Sequence, residues 1–223
     1  MLGELATNPL GFLFWILALV IAITIHEFSH AYAADRLGDP TPRLQGRLTL
    51  NPLAHLDPLG TLMLLIARFG WGKPVVFDPF NLRRPRRDAA IISFAGPLSN
   101  LIMATFCAVL LQILLQYRLA FLGNSFGIAV FVLMGILRPI IILDVVLAIF
   151  NLVPIHPLDG FKIVGGILPK EYASQWYELE PYGMIFLIFL IFPIFGGTSP
   201  ISNIISPIIN AIVTILLPSA SFI

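Results

Sequence analysis

Three stretches of the chain contain no Asp, Glu, Lys or Arg, and this feature most limits how the chain can fold. They lie between Glu4 and Glu27, between Asp88 and Arg118, and after Glu180. Crossing the hydrocarbon core of a bilayer takes about 20 apolar residues in a helix, so each stretch is long enough. The chain is 58% hydrophobic and only 11% charged, against about 25% charged residues in soluble domains. A water-soluble globule is therefore excluded.

The basic residues are concentrated in one part of the chain. Nine of the 13 Lys and Arg residues lie within residues 36–87, and the net charge is only +1, so no nucleic-acid partner is expected. Because cytoplasmic loops of membrane proteins are enriched in Lys and Arg, residues 36–87 are predicted to face the cytoplasm. The single cysteine, Cys107, has no partner for an intrachain disulfide. We expect a multi-pass protein of the cell membrane whose immediate partner is the lipid bilayer.

Hydropathy and turn residues divide the chain further. They predict helical spans at residues 9–34, 89–116 and 128–150, and a C-terminal helical hairpin at residues 181–217. Residues 43–50 alternate polar and apolar side chains, which predicts a short strand or hairpin at the membrane surface. Residues 59–69 are apolar but too few to cross, which favours a re-entrant segment. The expected fold class is an all-α polytopic membrane protein with about five to six transmembrane helices and a small surface β element. It is expected to form one domain, residues 1–223, with its core at residues 9–168.

The first span contains an H-E-x-x-H pattern, His26-Glu27-Phe28-Ser29-His30. On a helix, residues four apart lie on one face, so both imidazoles could bind one Zn²⁺ at about 2.0–2.1 Å. Glu27 would lie on the adjacent face, within reach of the attacking water, as a general base and later as an acid. The alternative is that these side chains are packed between helices and hydrogen-bonded to neighbours. An ionisable residue at mid-span costs about 2.5–3.5 kcal/mol, so three of them favour a shared cation.

A catalytic zinc site needs a third protein ligand. The candidates elsewhere in the chain are His55, Asp57, Asp144, His156 and Asp159. Asp159 follows a helix that Pro154 and Pro157 must end, and Gly160 permits a tight turn there. Irregular backbone at membrane depth is tolerated where it is buried in protein or lines a wet cavity, which suits an active site. The alternative is a plain helix end with Asp159 at the surface.

Several motifs in order resemble the site-2 protease family of intramembrane zinc metalloproteases, in its short bacterial-type branch without an inserted PDZ domain. They extend over residues 26–168 and read H-E-F-S-H, G-D-P-T-P-R-L-Q-G-R-L-T-L-N-P-L-A-H-L-D-P-L-G-T, W-G-K-P-V, A-G-P-L-S-N and F-N-L-V-P-I-H-P-L-D-G. The resemblance implies a three-helix core, one Zn²⁺ per chain bound by His26, His30 and Asp159, and Glu27 as the catalytic base. It also implies a transmembrane protein as substrate, cut in regulated intramembrane proteolysis, with the active site toward the cytoplasmic side.

Other polar residues of these motifs have more than one role open to them. Asn100 and Asn151 could donate hydrogen bonds to a substrate backbone or to the developing oxyanion, or could join one helix to another. His156 could contact a zinc ligand, compete as a ligand, or be an ordinary interfacial histidine. His55 could lie behind the site or form hydrogen bonds at the surface, and no mechanism is assigned to Asp57.

The expected function is hydrolysis of peptide bonds in or near transmembrane segments of membrane proteins. A transmembrane helix keeps its carbonyl groups in hydrogen bonds, so a substrate must unwind locally, and residues 43–50 could bind it by strand addition. Substrate helices of weak helical propensity should be preferred. One alternative is a non-proteolytic membrane metal-binding scaffold, which would not need Glu27. The other is a metal transporter, which the lack of paired repeats in the sequence disfavours.

Overall fold

The computed structural model describes residues 7–67, 71–117, 127–193 and 198–217 of the chain. Within these ranges the helices are α1 (Pro9–Arg36), α2 (Thr41–Leu44), α3 (Pro58–Ala67), α4 (Pro85–Gln116), α5 (Gly127–Asn151), α6 (Asp159–Ile167), α7 (Lys170–Tyr177), α8 (Glu180–Ile191) and α9 (Pro200–Leu216). Short turns of 3₁₀-helix, Pro52–Ala54 and Pro79–Asn81, lie in the α1–α4 connection, which comprises residues 37–84. The described residues contain no β-strand, only an isolated antiparallel bridge between Leu56 and Gly72.

Three of these helices, α1, α4 and α5, are long and apolar enough to cross a membrane, and α8 and α9 are shorter apolar helices. The expected all-α membrane fold is therefore confirmed, and the three predicted spans agree with the observed helices within four residues. Helix α4 begins earlier than predicted because Pro85 occupies its first turn, a position that suits proline. Asp88 Oδ2 also accepts a hydrogen bond from the Arg84 N–H (2.8 Å), which stabilises the N-terminus of α4.

Helices α1, α4 and α5 pack against one another in pairs. Many side chains at their contacts are small and fully buried or nearly so, including Ala18, Ala104 and Ala108. Small side chains let helix backbones approach closely, and this drives helix association where lipid weakens the hydrophobic effect. Large apolar side chains of α4 such as Ile102 and Phe106 point outward and are exposed, as contact with lipid requires. The three long helices thus form a core with an exterior suited to a membrane.

The predicted strand at residues 43–50 is wrong, and so is the small surface β element. Thr41–Leu44 forms one turn of helix, and Gly46 follows with a φ of +69°. Prolines explain the difference. Pro40 and Pro42 have φ fixed near −65° and have no N–H to donate to a partner strand. The Arg47 N–H closes the turn on the Pro42 carbonyl (2.8 Å). Polar and apolar residues alternate here without any strand pairing.

The chain between α5 and α6 is irregular, as its two prolines predict. Helix α5 ends at Asn151, residues 152–158 form turns, and α6 begins at Asp159. Only glycine fits at position 160, because a Cβ there would collide with the carbonyl oxygens of Leu152 and Val153. Helix α6 packs against α4. This arrangement carries the first residue of α6 back to the three-helix core.

The remaining segments surround this core. The expected re-entrant segment at residues 59–69 is largely helix α3, while residues 68–70 lie outside the described ranges. Its depth in a bilayer stays a prediction. The C-terminal hairpin consists of α8 and α9, which pack against each other, and α9 also packs against α5. Helix α7, between α6 and this hairpin, was not predicted.

Candidate metal centre

His26 and His30 lie one helical turn apart on α1, and Asp159 at the start of α6 lies against both. Asp159 Oδ2 is 3.1 Å from His26 Nε2 and 3.2 Å from His30 Nε2. One donor atom from each side chain lies within 4.8 Å of the others, and no other such group of His, Cys, Asp and Glu occurs among the described residues. Side chains 133 residues apart in the sequence therefore meet at one point.

The second nitrogen of His30 is held by the backbone of α4. His30 Nδ1 lies 2.7 Å from the carbonyl oxygen of Ile92. Because a carbonyl oxygen only accepts hydrogen bonds, Nδ1 must carry the proton and donate it. In the neutral imidazole the lone pair is then on Nε2, which faces Asp159. A metal-binding histidine is held in the same way.

His26 is held by an asparagine side chain of α4. His26 Nδ1 lies 2.5 Å from Asn100 Oδ1. The Asn100 amide nitrogen donates one hydrogen to the Ala22 carbonyl (3.1 Å) and the other to Asp144 Oδ1. Both of its hydrogens are engaged, so the amide oxygen faces His26, and His26 Nδ1 must be the donor. In their neutral forms both histidines therefore present the Nε2 lone pair toward Asp159.

Gly96 on α4 provides the space for this arrangement. A Cβ at this position would lie 2.5 Å from His30 Nε2 and 2.7 Å from His26 Cε1. No real side chain tolerates such distances, so any other residue would displace the imidazoles. The glycine of the A-G-P-L-S-N motif therefore has a steric reason to be glycine.

Glu27 lies beside the histidines but is held by a different part of the chain. Its Oε2 accepts a hydrogen bond from the Val75 N–H (2.9 Å) in the α1–α4 connection. The side chain is only half-buried. A partly accessible carboxylate with one oxygen fixed by a backbone donor can receive a proton from a water molecule.

Two buried charged residues that the sequence did not single out hold the α1–α4 connection in place. Asp39 accepts hydrogen bonds from Thr41, Asn81 and the Asp78 N–H. Burial raises the pKa of Asp39, but these hydrogen bonds outweigh burial and leave the pKa below its usual value. The Arg47 guanidinium donates to the carbonyl oxygens of residues 54, 73 and 74. Their charges within the motif G-D-P-T-P-R-L-Q-G-R were the signal that could have identified them.

Asn151 and His156, which were also predicted to act at the site, lie outside the group formed by His26, His30 and Asp159. Asn151 donates to the Leu147 carbonyl of its own helix (2.9 Å). His156 packs edge-on against Phe161 and has its Nδ1 3.6 Å from Glu180 Oε1. None of these side chains belongs to the group of three donors.

The two remaining candidates stabilise the α1–α4 connection. His55 is fully buried and its Nε2 donates to the Thr49 carbonyl (2.7 Å), while Asp57 accepts from the Gly60 N–H (2.7 Å) and so caps helix α3. The structure does not bring either of them into the group of three donors.

The donor set of His26, His30 and Asp159 fits a zinc ion. Two imidazole nitrogens and one carboxylate oxygen are ligands that catalytic zinc sites use. Tetrahedral ligands about 2.0–2.1 Å from a zinc ion lie about 3.3 Å from one another. The observed separations of 3.1 and 3.2 Å between Asp159 and the histidines are close to that value. Three protein donors leave one position for water or substrate, as a catalytic site requires.

Comparison with known proteins agrees with this chemistry. The sequence model of peptidase family M50 matches residues 14–192, which is well over half of the chain. The chain belongs to peptidase family M50. It is 38% identical over 198 residues to "Putative zinc metalloprotease YwhC" of Bacillus subtilis, covering 88% of this chain and 85% of that protein.

More distant relatives carry a similar name. The chain is 29% identical over 185 residues to "Putative zinc metalloprotease Rip2" of Mycolicibacterium smegmatis, covering 81% of this chain and 67% of that protein. The protein of the same name from Mycobacterium tuberculosis is 29% identical over 185 residues, covering 80% of this chain and 66% of that protein. No solved structure matches the chain.

Membership in this family confirms the resemblance to site-2 proteases and makes the chain a metalloprotease. The names of the relatives agree with the expected zinc cofactor. The long apolar helices agree with the expected multi-pass membrane protein.

Proposed function

We propose that this protein is an intramembrane zinc metalloprotease in which His26, His30 and Asp159 bind the zinc ion and Glu27 is the catalytic base. Its substrates are membrane proteins, cut in or near their transmembrane segments as in regulated intramembrane proteolysis. The observation that carries the proposal is the convergence of three donor atoms from α1 and α6 next to Glu27. The printed names of the relatives support the same metal and the same reaction.

The position of His26 along α1 supports a site within the membrane. Arg36 at the end of the helix is ten positions after His26, a distance of about 15 Å at 1.5 Å per residue. The hydrocarbon core of a bilayer is about 30 Å thick. If the charged end of α1 lies at the membrane surface, His26 is below that surface, where a transmembrane substrate can reach it.

Each site residue has a separate task in hydrolysis. A bound zinc ion supplies a Lewis acid that polarises the scissile carbonyl group and favours deprotonation of the attacking water. Glu27 takes the proton from that water and returns it to the leaving amine. The Val75 N–H orients the Glu27 carboxylate for this transfer. Because water is the nucleophile, no residue of the chain becomes covalently attached to the substrate.

The substrate must expose its backbone before it is cut. In a transmembrane helix each carbonyl accepts a hydrogen bond from the residue four positions later, so the scissile bond becomes accessible only after local unwinding. Helices with glycine, or with several β-branched residues near the cleavage point, unwind at lower cost. Residues 43–50 do not offer a strand edge to which a substrate could add, because this segment is a turn of helix followed by a glycine turn.

The substitution Glu27→Gln tests the proposal most directly. The protein is reconstituted in bilayer nanodiscs with a transmembrane model peptide, and cleavage and bound zinc are measured together. We expect cleavage to fall about 10²–10⁴-fold, the contribution of a general base, while one zinc per chain remains. Glu171→Gln, at an exposed acid on α7, is the matched control and should cleave like the wild type. Cleavage by Glu27→Gln at the wild-type rate would contradict the proposal.

A second measurement separates proteolysis from the two alternatives. Zinc flux is followed in liposomes that contain the same protein. We expect no flux above that of empty liposomes and clear cleavage of the peptide. Flux without cleavage would indicate a transporter, and bound zinc with neither activity would indicate a scaffold.

We also propose that the site lies toward the cytoplasm. Arg83, Arg84 and Arg87, which precede or begin α4, are exposed basic residues, and cytoplasmic segments are enriched in such residues. The variant Arg84→Cys in a Cys107→Ser background carries a single thiol at this end. We expect a membrane-impermeant maleimide to label it only after cells are permeabilised. Labelling of intact cells would place this end outside.

A further inference from the structure

We infer that Asp144 is a positioning residue for the zinc site, which it supports by fixing the orientation of the Asn100 side chain. The inference rests on the proposed function, in which His26 is a zinc ligand. Asp144 does not belong to the group of three donors and reaches it only through Asn100.

The three residues form a chain of hydrogen bonds across the three core helices. Asp144 on α5 is completely buried, and its Oδ1 accepts a hydrogen bond from the Asn100 amide nitrogen on α4. Asn100 is also completely buried, and its Oδ1 lies 2.5 Å from His26 Nδ1 on α1. The Ala22 carbonyl accepts the second amide hydrogen at 3.1 Å. Every hydrogen-bonding atom of the Asn100 side chain is thus engaged.

The orientation of this amide decides which nitrogen of His26 can bind a metal. If the Asn100 amide turned over, its NH₂ group would face His26 Nδ1, which would then have to accept a hydrogen bond. The proton of His26 would move to Nε2, and Nε2 could no longer bind a cation. The turned amide would point its own oxygen at two buried acceptors, Asp144 Oδ1 and the Ala22 carbonyl oxygen, and neither would then receive a hydrogen bond. Asp144, together with the Ala22 carbonyl, therefore selects the orientation that frees Nε2.

Stability alone does not explain a carboxyl group at this position. Asp144 Oδ2 is buried and has no hydrogen-bond partner among the described residues. A buried polar atom without a partner is destabilising, and an apolar side chain of similar size would avoid that cost. The neighbouring positions on the inward face of α5, Ile141 and Val145, are apolar and equally buried. The carboxyl group is accounted for by its contact with Asn100.

The test measures zinc affinity of the full-length protein in nanodiscs by competition with a chromophoric chelator. Loss of an indirect contact of this kind weakens metal binding about 10–100-fold, and we expect this for Asp144→Leu. Asp144→Asn keeps an oxygen acceptor for Asn100 and should recover most of the affinity. If Asp144→Leu does not fold, Asp144→Ala removes the same acceptor without adding volume. In the Asn100→Leu background, Asp144→Leu should weaken zinc binding no further, because Asn100 mediates its effect.

The control is Ile141→Ala, which opens a cavity one turn away on the same helix. It should lower the melting temperature without changing zinc affinity. The inference is overturned if Asp144→Leu and Asp144→Ala bind zinc like the wild type or no worse than Ile141→Ala. It is also overturned if Asp144→Leu still weakens binding when Asn100 is already Leu. These outcomes leave the proposed function intact, whereas equal zinc binding by wild type and His26→Ala would overturn both.

Discussion

The candidate metal centre and the α1–α4 connection both bury charged and polar side chains, but they use them in opposite ways. In the connection, Asp39 accepts hydrogen bonds from donors on both sides of the loop, and Arg47 donates to three backbone carbonyls. In the metal centre, the Nε2 atoms of two histidines and an oxygen of Asp159 face one another. Buried polar groups that have all their hydrogen bonds stabilise a fold. Metal-ligand atoms that face one another favour a bound cation between them. The three converging side chains therefore mark the candidate functional site.

The largest effect should come from removing one of the converging donors. Asp159→Ala should lower zinc affinity by at least about 100-fold and abolish peptide cleavage, because the remaining two ligands do not make a catalytic site. Bound zinc is measured by mass spectrometry of the metal after gel filtration, and cleavage with the transmembrane model peptide.

Asp57→Ala is the matched control, since Asp57 is a carboxylate that only caps helix α3. It should keep its zinc and its activity, and lose about 1 kcal/mol of stability. Full zinc occupancy in Asp159→Ala would contradict the assignment of Asp159 to the metal centre and of Asp57 to the α1–α4 connection alone.

A smaller loss of activity should follow when the connection is loosened. Arg47→Met removes hydrogen bonds from a charged donor to buried carbonyls, so the free energy of unfolding should fall by about 3 kcal/mol. The carbonyls released include those of Lys73 and Pro74, directly before Val75, whose N–H orients Glu27. The rate of cleavage should therefore fall while zinc content stays unchanged.

Arg47→Lys should not restore the rate, because a single ammonium group cannot span the three carbonyls that the guanidinium fork reaches. Thermal unfolding, cleavage and zinc content are compared in both variants. Loss of zinc in either one would mean that the two regions are not separate.

A more limited effect on the metal centre should come from crowding it. Gly96→Ala would place a Cβ against both imidazoles, and repacking of this kind costs about 1–3 kcal/mol. Zinc affinity should fall about 5–150-fold as a result. Gly135→Ala is equally crowded, with its Cβ 2.5 Å from the Phe14 ring, but lies outside the site. It should destabilise the fold and leave zinc affinity unchanged, and chelator competition measures the difference.

The smallest effect should be a pH dependence that originates in the connection. Hydrogen bonds hold the pKa of Asp39 below its usual value, so its ionised form favours the folded state. This contribution is complete above the unfolded pKa of about 4 and is lost as the pH falls through the lower folded pKa. Asp39→Asn should therefore be less stable near neutral pH and lose less stability on acidification. Melting temperatures of metal-free protein at several pH values provide the measurement, and parallel curves would contradict it.

Features that depend on neighbouring residues could be predicted from the sequence. The three long helices follow from long apolar runs with few charged residues, and they end near prolines and charged residues. The spacing of His26 and His30 places them on one face of a helix, whatever surrounds it. The strand predicted at residues 43–50 does not form. The prediction used the alternation of polar and apolar side chains and did not consider the prolines just before this segment, which cannot donate backbone hydrogen bonds to a partner strand.

How residues far apart in the sequence meet followed only from the packing of the helices. Residue types alone left Asn100 with several roles, and only helix packing shows it between His26 and Asp144. The burial of Arg47 among carbonyls was equally hidden, since a lone arginine in a loop usually lies in water. Local spacing along the chain was enough to predict the three long helices and to place the two histidines on one face of α1. The packing of α6 against α4 brought Asp159 to that pair, because contacts between distant residues arise only when helices pack.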